Sequence, residues 1–457
     1  MRLLKGFSVP ILGLVMSLVM SSIVRADAVT DWNAIAIQII ARATTHPGAT
    51  SFLDSAIVQA AVYDAVESIT KTFRPYAIRV PGASGSTAAA VAKATRDVLM
   101  NRFPPSQFPS LTGTLDTTYN DYLTSHCIST SDPGIAVGAA AAAAIIALRA
   151  NDHSFPNCSA TPLPPNCDFA GSNALGEWRP TPSDIVLPGA SGPSPPPFAH
   201  MLAPWLATVT PFTLNRPDQF RAPEPPSLTS KRYASAFDEV KRTGARTNSD
   251  RTAEQTNLAL FWYSNYLVLW ERALRDIATA NHLSIDDSAR LFALVNLAMG
   301  DAVITAWDTK LHYHFWRPYT AIHEADNDGN PETISDPNWL PLVNIPNYPD
   351  YTSGANNVTG AITRMLALFF GTDEMTFTEA TNYALANPQM PTITYQRFSD
   401  AAHDVVNARI WEGIHFRFAD VQARKQGRHV AQWVFSHYLR SVDVDDHDDH
   451  DDSDNEE

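Results

Sequence analysis

Apolar residues in this chain recur at helical spacing, with almost none of the two-residue alternation that half-buried strands need. Ile35, Ile37 and Ile40, then Leu53, Ile57, Ala60, Val62, Ala65 and Val66, predict two helices broken at His46-Pro47-Gly48. The same pattern predicts helices over 86–101, 109–125 and 133–151, the last so alanine-rich that it must lie close against its neighbours. It returns over 229–244, 250–280, 285–307, 358–370, 376–385, 396–412 and 420–440. Alternating β and α elements are absent, so the expected fold class is all-α, a helical bundle rather than a doubly wound sheet.

Between Pro156 and Pro226 the periodicity gives way to proline, serine and glycine, anchored by Trp178, Trp205 and Phe212. Ordered loops this long are often functional, and this one is expected to run over the surface between two helical halves. The resulting division is 1–26 signal peptide, 27–155 N-terminal helical region, 156–228 proline-rich connector, 229–440 C-terminal helical region and 441–457 acidic disordered tail.

Arg2 and Lys5, an apolar run from Phe7 to Val24 and small residues around Ala26 and Ala28 have the anatomy of a secretory signal peptide. An uncleaved anchor is disfavoured because Ser8, Pro10 and Ser21-Ser22 interrupt a run that must supply ~20 mostly apolar residues. A secreted, periplasmic or extracellular protein with no membrane span in its mature chain is expected; Ile135–Leu148, the longest later apolar run, is too short to cross a bilayer. Of the three cysteines, Cys158 and Cys167 bracket part of the connector and suit a local disulfide, leaving Cys127 unpaired. The formal charge is −15, of which Asp443–Glu457 supplies −10, leaving −5 for the rest. Such a tail is solubilising, with weak divalent-cation binding through its aspartates, His447 and His450 as the functional alternative. No basic stripe is present, which disfavours nucleic acid as a partner. The sequence leaves a homo-oligomer open.

Three segments carry chemistry. In the first, a predicted helix runs into Lys310-Leu-His-Tyr-His-Phe-Trp-Arg317-Pro318, where Pro318 is expected to end it; two cations beside aromatic residues suit a half-dry anion pocket. Basic residues near a helix C-terminus also answer the macrodipole, so this segment alone is weak evidence. In the second, Tyr348-Pro-Asp-Tyr-Thr-Ser353-Gly354-Ala355 opens a helix, and its hydroxyl and unshielded amides make an anion site or, more plainly, a helix cap. In the third, Arg409 and His415 share a ligand only if Gly413 ends their helix and swings His415 back. A histidine among aromatics is otherwise an ordinary core residue.

Taken in order, these segments resemble the signature of the superfamily joining vanadium-dependent haloperoxidases to type 2 phosphatidic acid phosphatases. The resemblance covers most of the mature chain, including Glu177–Pro182 and Arg251–Trp262, and is densest from 170 to 435. It implies a helical bundle of the vanadium haloperoxidase and acid phosphatase type. It implies vanadate or phosphate held by Lys310, Arg317, Ser353, Gly354 and Arg409, with His415 as the vanadium ligand or the nucleophile toward phosphorus. Three cations with preorganised N–H and O–H donors match an anion whose charge spreads over equatorial oxygens. In the haloperoxidase reading Lys310 and His415 are the catalytic pair, hydrogen peroxide and halide are the substrates, and Trp307 and Tyr348 wall the pocket.

Two positions depart from the family pattern. A histidine acting as general acid or base usually follows the Ser-Gly pair; here Ala355 stands there. A positioned proton donor contributes ~10²–10⁴-fold, so the proton comes from elsewhere or turnover is slow. Asn356, Asn357, His314, His323 and His403 are candidates to lie nearby, and spacing does not choose among them. The carboxylate expected four residues after the third-segment histidine is displaced to Asp420, leaving Asp301 or Asp308 to orient His415. The alternatives to a haloperoxidase are a secreted acid phosphatase working through phospho-His415 on phosphate esters, and a catalytically weak phosphate- or vanadate-binding protein, which Ala355 favours. His312 and His314 lack the pattern of a zinc site, and Ser353 is not on a nucleophile elbow.

Overall fold

The computed structural model describes residues 27–442 apart from 44, 47, 182–199, 382–387 and 389. The expected signal peptide, the centre of the connector and the tail from 443 onward lie outside the described residues.

Five helices come before the connector: α1 Ala28–Arg42, α2 Ser51–Thr70, α3 Thr87–Arg102, α4 Pro109–Ser125 and α5 Pro133–Arg149. After it come α6 Lys231–Thr243, α7 Ala253–Trp262, α8 Tyr266–Ala280, α9 Ile285–Tyr313, α10 Pro318–Glu324 and α11 Gly354–Phe370. A short hairpin follows, β1 Glu374–Ala380 and β2 Thr392–Arg397, and then α12 Phe398–Trp411 and α13 Arg417–His437. Many starts are encoded locally. Ser86, Asp132, Ser230, Asn265 and Ser284 each accept a backbone N–H as N-cap, and Thr252 with Gln255 forms a reciprocal capping box.

The hydrophobic core is built around α9. Leu291, Phe292, Leu294, Val295, Leu297, Met299 and Ile304 are wholly buried there, each contributing roughly 1.5–3 kcal/mol relative to exposure. α2 packs on α9 from the first half of the chain, and α11 and α13 from the second, so one apolar cluster joins residues from both halves. By length and composition α9 is apolar enough to cross a membrane, which the sequence reading passed over; its apolar window is 94% buried inside the protein. The alanine-rich α5 does lie tightly on α3: a Cβ on Gly138 would stand 2.2 Å from the Ala90 carbonyl oxygen.

Several expected boundaries need correcting. The stretch 250–280 is two helices, because Asn265 caps α8 three residues after α7 ends. α9 runs past Trp307 to Tyr313 and ends at His314, whose φ is 50°; Pro318 opens α10 instead of ending α9, as suits a residue with fixed φ and no N–H at a first helical position. The region expected as helix over 376–385 begins as β1. Met375 and Phe377 alternate with exposed threonines there, and Phe377 pairs with Tyr395 across the hairpin.

The described parts of the connector lie on the helices. Trp178 is fully buried and its N–H donates to the His314 carbonyl; Arg149 donates to the carbonyls of Thr210 and Pro211. Asp301, deep in α9, accepts the backbone N–H groups of Phe212, Thr213 and Leu214. Cys158 and Cys167 form a disulfide, and Cys127 is free and exposed.

Candidate active site

The three sequence segments converge. Lys310 comes from the last turn of α9, Arg317 from the N-cap of α10, Ser353 and Gly354 from the start of α11, Arg409 from the last turn of α12 and His415 from the link to α13. Lys310, Arg317, Ser353, Arg409 and His415 are all buried.

Local backbone chemistry places each group. Gly413, at φ +81°, turns the chain after α12, so that His415 points back toward Arg317. Arg317 Nη1 lies 3.1 Å from His415 Nε2 and donates to the Ile414 carbonyl at 2.7 Å; its Nε donates to the Tyr348 carbonyl at 2.8 Å. Lys310 Nζ donates to the carbonyls of Pro349 and Asp350 at 2.6 and 3.1 Å. The turn before α11 is moored by Gln426 of α13: its side-chain oxygen accepts from Thr352 and Asn357, and its amide nitrogen donates to Thr309 of α9.

The carboxylates are where sequence reasoning fell short. His415 Nδ1 lies 2.7 Å from Asp350 Oδ1, so Asp350 is the acid that orients the imidazole, and neither candidate expected for that task reaches it. Asp301 is engaged by the connector, and Asp308 pairs with Arg221 at 2.7 Å. Arg317 Nη1, which can only donate, faces Nε2 at 3.1 Å, so Nε2 keeps its lone pair and the imidazole proton belongs on Nδ1, beside Asp350. Glu412, also unforeseen, is buried and accepts from Arg409 Nη1 at 2.6 Å. Asp420 sits in the first turn of α13; it is buried and accepts from Asn356 at 2.8 Å. A signal for Asp350 was in the sequence, since it stands three residues before Ser353 in the same loop.

The remaining proton-source candidates are occupied elsewhere. His314 faces Glu177 at 3.5 Å, His323 Nε2 lies against the Trp339 carbonyl and His403 is exposed. Asn357 is held by Gln426 and Asn356 by Asp420.

A cavity of about 450 Å³ opens beside the cluster, lined by Trp307, Tyr348, Gly354, Ala355, Tyr266 and Arg409 among others. Trp307 and Tyr348, with ring centroids 4.9 Å apart, form the expected wall. Lys310 Nζ stands 4.8 Å and the Arg317 guanidinium 4.9 Å from the Tyr348 ring centroid.

Burial dominates the electrostatics. It holds Lys310 well below the ordinary lysine range, helped by Arg317, and His415 well below the ordinary histidine range, helped by Arg317, Arg409 and Lys310. Burial pushes the carboxyls of Asp350 and Glu412 up to about 8 and that of Asp420 up to about 7, against the pull of neighbouring arginines. Near neutrality Asp350 and Glu412 are therefore largely protonated and Asp420 about half so, while Arg317 and Arg409 stay charged, which tilts the pocket toward an anion. The donor set fits a tetrahedral oxyanion. Arg317 Nη2, Arg409 Nε and Ser353 Oγ are all buried without a hydrogen-bond partner, a costly arrangement that a ligand with several acceptor oxygens would relieve.

Fold and site together point to one class: the chain has the helical-bundle fold of vanadium haloperoxidases and is similar to that superfamily. The family model described as the VCPO second helical-bundle domain matches residues 290–444, which contain all three segments. The vanadium chloroperoxidase of Curvularia inaequalis is 28% identical over 315 residues, 54% of this chain and 51% of the relative, so the chain spans about half the length of the curated protein it matches. Among solved structures, the first bacterial vanadium-dependent iodoperoxidase superposes with a TM-score of 0.71 at 21% identity, over 91% of this chain and 97% of that one. A holo-type bacterial vanadium-dependent chloroperoxidase gives 0.68 at 18% identity, over 86% and 92%. These structures share the fold.

Proposed function

We propose that this protein is an exported vanadate-dependent haloperoxidase, using hydrogen peroxide to oxidise a halide. The observation that carries the reading is the buried set of unpartnered donors on Arg317, Arg409 and Ser353, gathered around a histidine that a carboxyl already orients. The family model that matches residues 290–444 supports it, as do the activities named for similar proteins, chloroperoxidase and iodoperoxidase.

Arg317, Arg409, Lys310, Ser353 and the Gly354 amide would hold the anion, with His415 Nε2 as the ligand to vanadium. Bound vanadate supplies a Lewis-acidic centre at which peroxide is activated toward halide. The protein's own groups do the rest. The two guanidiniums neutralise the oxyanion where water is excluded, so their charges act at low dielectric and need no reorganisation. Lys310, anchored by two carbonyls, keeps its remaining N–H for a peroxide oxygen. Arg317 fixes the His415 tautomer with Asp350 beside Nδ1, and Trp307 with Tyr348 gives the halide an aromatic wall.

Ala355 favours a second reading, slow turnover or oxyanion binding alone, because among the described residues no histidine lines the cavity. The phosphatase alternative suffers most from that loss, since an ester leaving group needs a proton. One experiment separates the three: oxidation of iodide, bromide and chloride by peroxide, with and without added vanadate, beside hydrolysis of an aryl phosphate on the same sample. Vanadate-dependent halide oxidation is the expected result. Phosphate release without it would move the assignment to a phosphatase, and neither reaction, with thermal protection by vanadate or phosphate, would leave a binding protein.

A further inference from the structure

Tyr266 is the first residue of α8, and its position is fixed from both sides. Asn265 caps the helix by accepting the N–H groups of Leu267 and Val268, and the Trp262 indole stacks on the Tyr266 ring at 6.0 Å. The ring lines the same cavity as Gly354, Ala355 and Arg409, with the Arg409 guanidinium 6.0 Å from its centroid. Its hydroxyl is buried beside the Arg409 guanidinium, which can only donate to it, and has no acceptor for its own proton. A buried phenol normally finds one, and leaving a donor unpaired costs about 1–3 kcal/mol. The neighbouring Arg409 Nε is unpartnered as well, so two donors on adjacent side chains await an acceptor. Ala355, where the family pattern places a hydrogen-bonding side chain, brings only a methyl group to this cavity.

We propose that the Tyr266 hydroxyl is an oxyanion donor of this chain, supplying from α8 a hydrogen bond to the anion that Ala355 cannot give. The inference rests on the oxyanion-pocket reading above. Burial raises the phenol far above its ordinary range, so Tyr266 donates a hydrogen bond and keeps its proton. It strengthens binding without replacing a general acid.

The test is Tyr266→Phe in the full chain, with inorganic phosphate and orthovanadate titrated calorimetrically into both proteins. A hydrogen bond to a charged acceptor predicts affinity about ten- to a hundred-fold weaker in the variant. The wild type should also show a tyrosine ultraviolet difference signal on phosphate addition that the variant lacks. Removing a hydroxyl whose proton has no acceptor should leave the ligand-free melting temperature unchanged or higher. Equal affinities and equal difference spectra would overturn the Tyr266 assignment while leaving the oxyanion pocket standing. A ligand-free melting temperature several degrees lower in the variant would mark the hydroxyl as structural and likewise overturn it. If the wild type binds neither anion, the pocket reading itself falls.

Discussion

Lys310 is the cation whose charge the pocket can change, because Arg317 and Arg409 stay protonated at any pH a folded protein meets. Burial and Arg317 depress Lys310, and burial raises Asp350, Glu412 and Asp420. An arriving oxyanion works in the same direction at every one of these groups: it holds Lys310 protonated and keeps the carboxyls neutral. Binding should therefore take up protons from the protein's side. Calorimetry of phosphate binding at pH 8 in two buffers of different ionisation enthalpy should show net uptake that is smaller in Lys310→Met; equal uptake in the two proteins would contradict a neutral, buried lysine. Ala355→His is expected to raise halide oxidation by about 10²-fold, the lower end for a positioned proton donor, with oxyanion affinity nearly unchanged. An unaltered rate would show that another group already delivers the proton. The cations and the Ser-Gly turn were legible in the sequence because their residue types and order are distinctive. Asp350 and Glu412 were not, because a carboxyl's task depends on which buried partner lies opposite, and that is set by the tertiary fold.

Between α11 and α13 the spacing of two helices decides the geometry of the anion turn. A Cβ on Gly427 would stand 1.9 Å from the Asn357 carbonyl oxygen, and one on Gly360 would stand 2.4 Å from that of Arg424. The helices therefore touch backbone to backbone, and Gln426, next to Gly427, reaches Thr352 and Asn357. Gly427→Ala should push α13 outward, costing about 1–3 kcal/mol or more by overpacking. Because the same shift breaks the Gln426 mooring, phosphate affinity should fall with the melting temperature. A stable variant with normal affinity would show that the turn before α11 holds itself. Helices with strong caps were legible from sequence, as at Ser86 and Ser284. The β1–β2 hairpin was not. Its apolar residues are few, and over a short window Phe377 and neighbouring apolar positions satisfy a helical period as well as a strand period; only pairing with Tyr395 decides. The end of α9 was misplaced for a related reason: a left-handed His314 is a conformation that only the surrounding structure imposes.

Buried carboxyls recur throughout the core, and three of them pin irregular chain to a helix. Asp64 accepts the backbone N–H groups of Tyr76, Ala77 and Ile78; Glu67 accepts that of Phe73; Asp301 holds the connector at Phe212 to Leu214. Burial is the leading cause in each case, raising Asp64 to about 6 and Glu67 to about 7, and Glu379 on β1 to about 8. With Asp350 and Glu412 at about 8 and Asp420 at about 7, the folded chain holds protons that the unfolded chain has released by pH 5. A group raised on folding contributes stability that is complete below its unfolded value, near 4, and is lost as pH climbs through its folded value. The opposing groups are His415, which penalises folding only below about its unfolded value of 6.5, and Lys310, whose depression makes stability rise with pH. Between pH 6.5 and 8 the histidine is silent, and the lysine faces five carboxyls with folded values of about 7 or 8. The unfolding free energy of the ligand-free protein, measured by denaturant titration, should therefore fall steadily from pH 6.5 to 8. Saturating phosphate should flatten that fall, because the anion keeps the pocket carboxyls protonated on their own account. A ligand-free stability that rises across this window would mean that these carboxyls are ionised and paired in the folded state, and that the pocket is electrically neutral rather than poised for an anion.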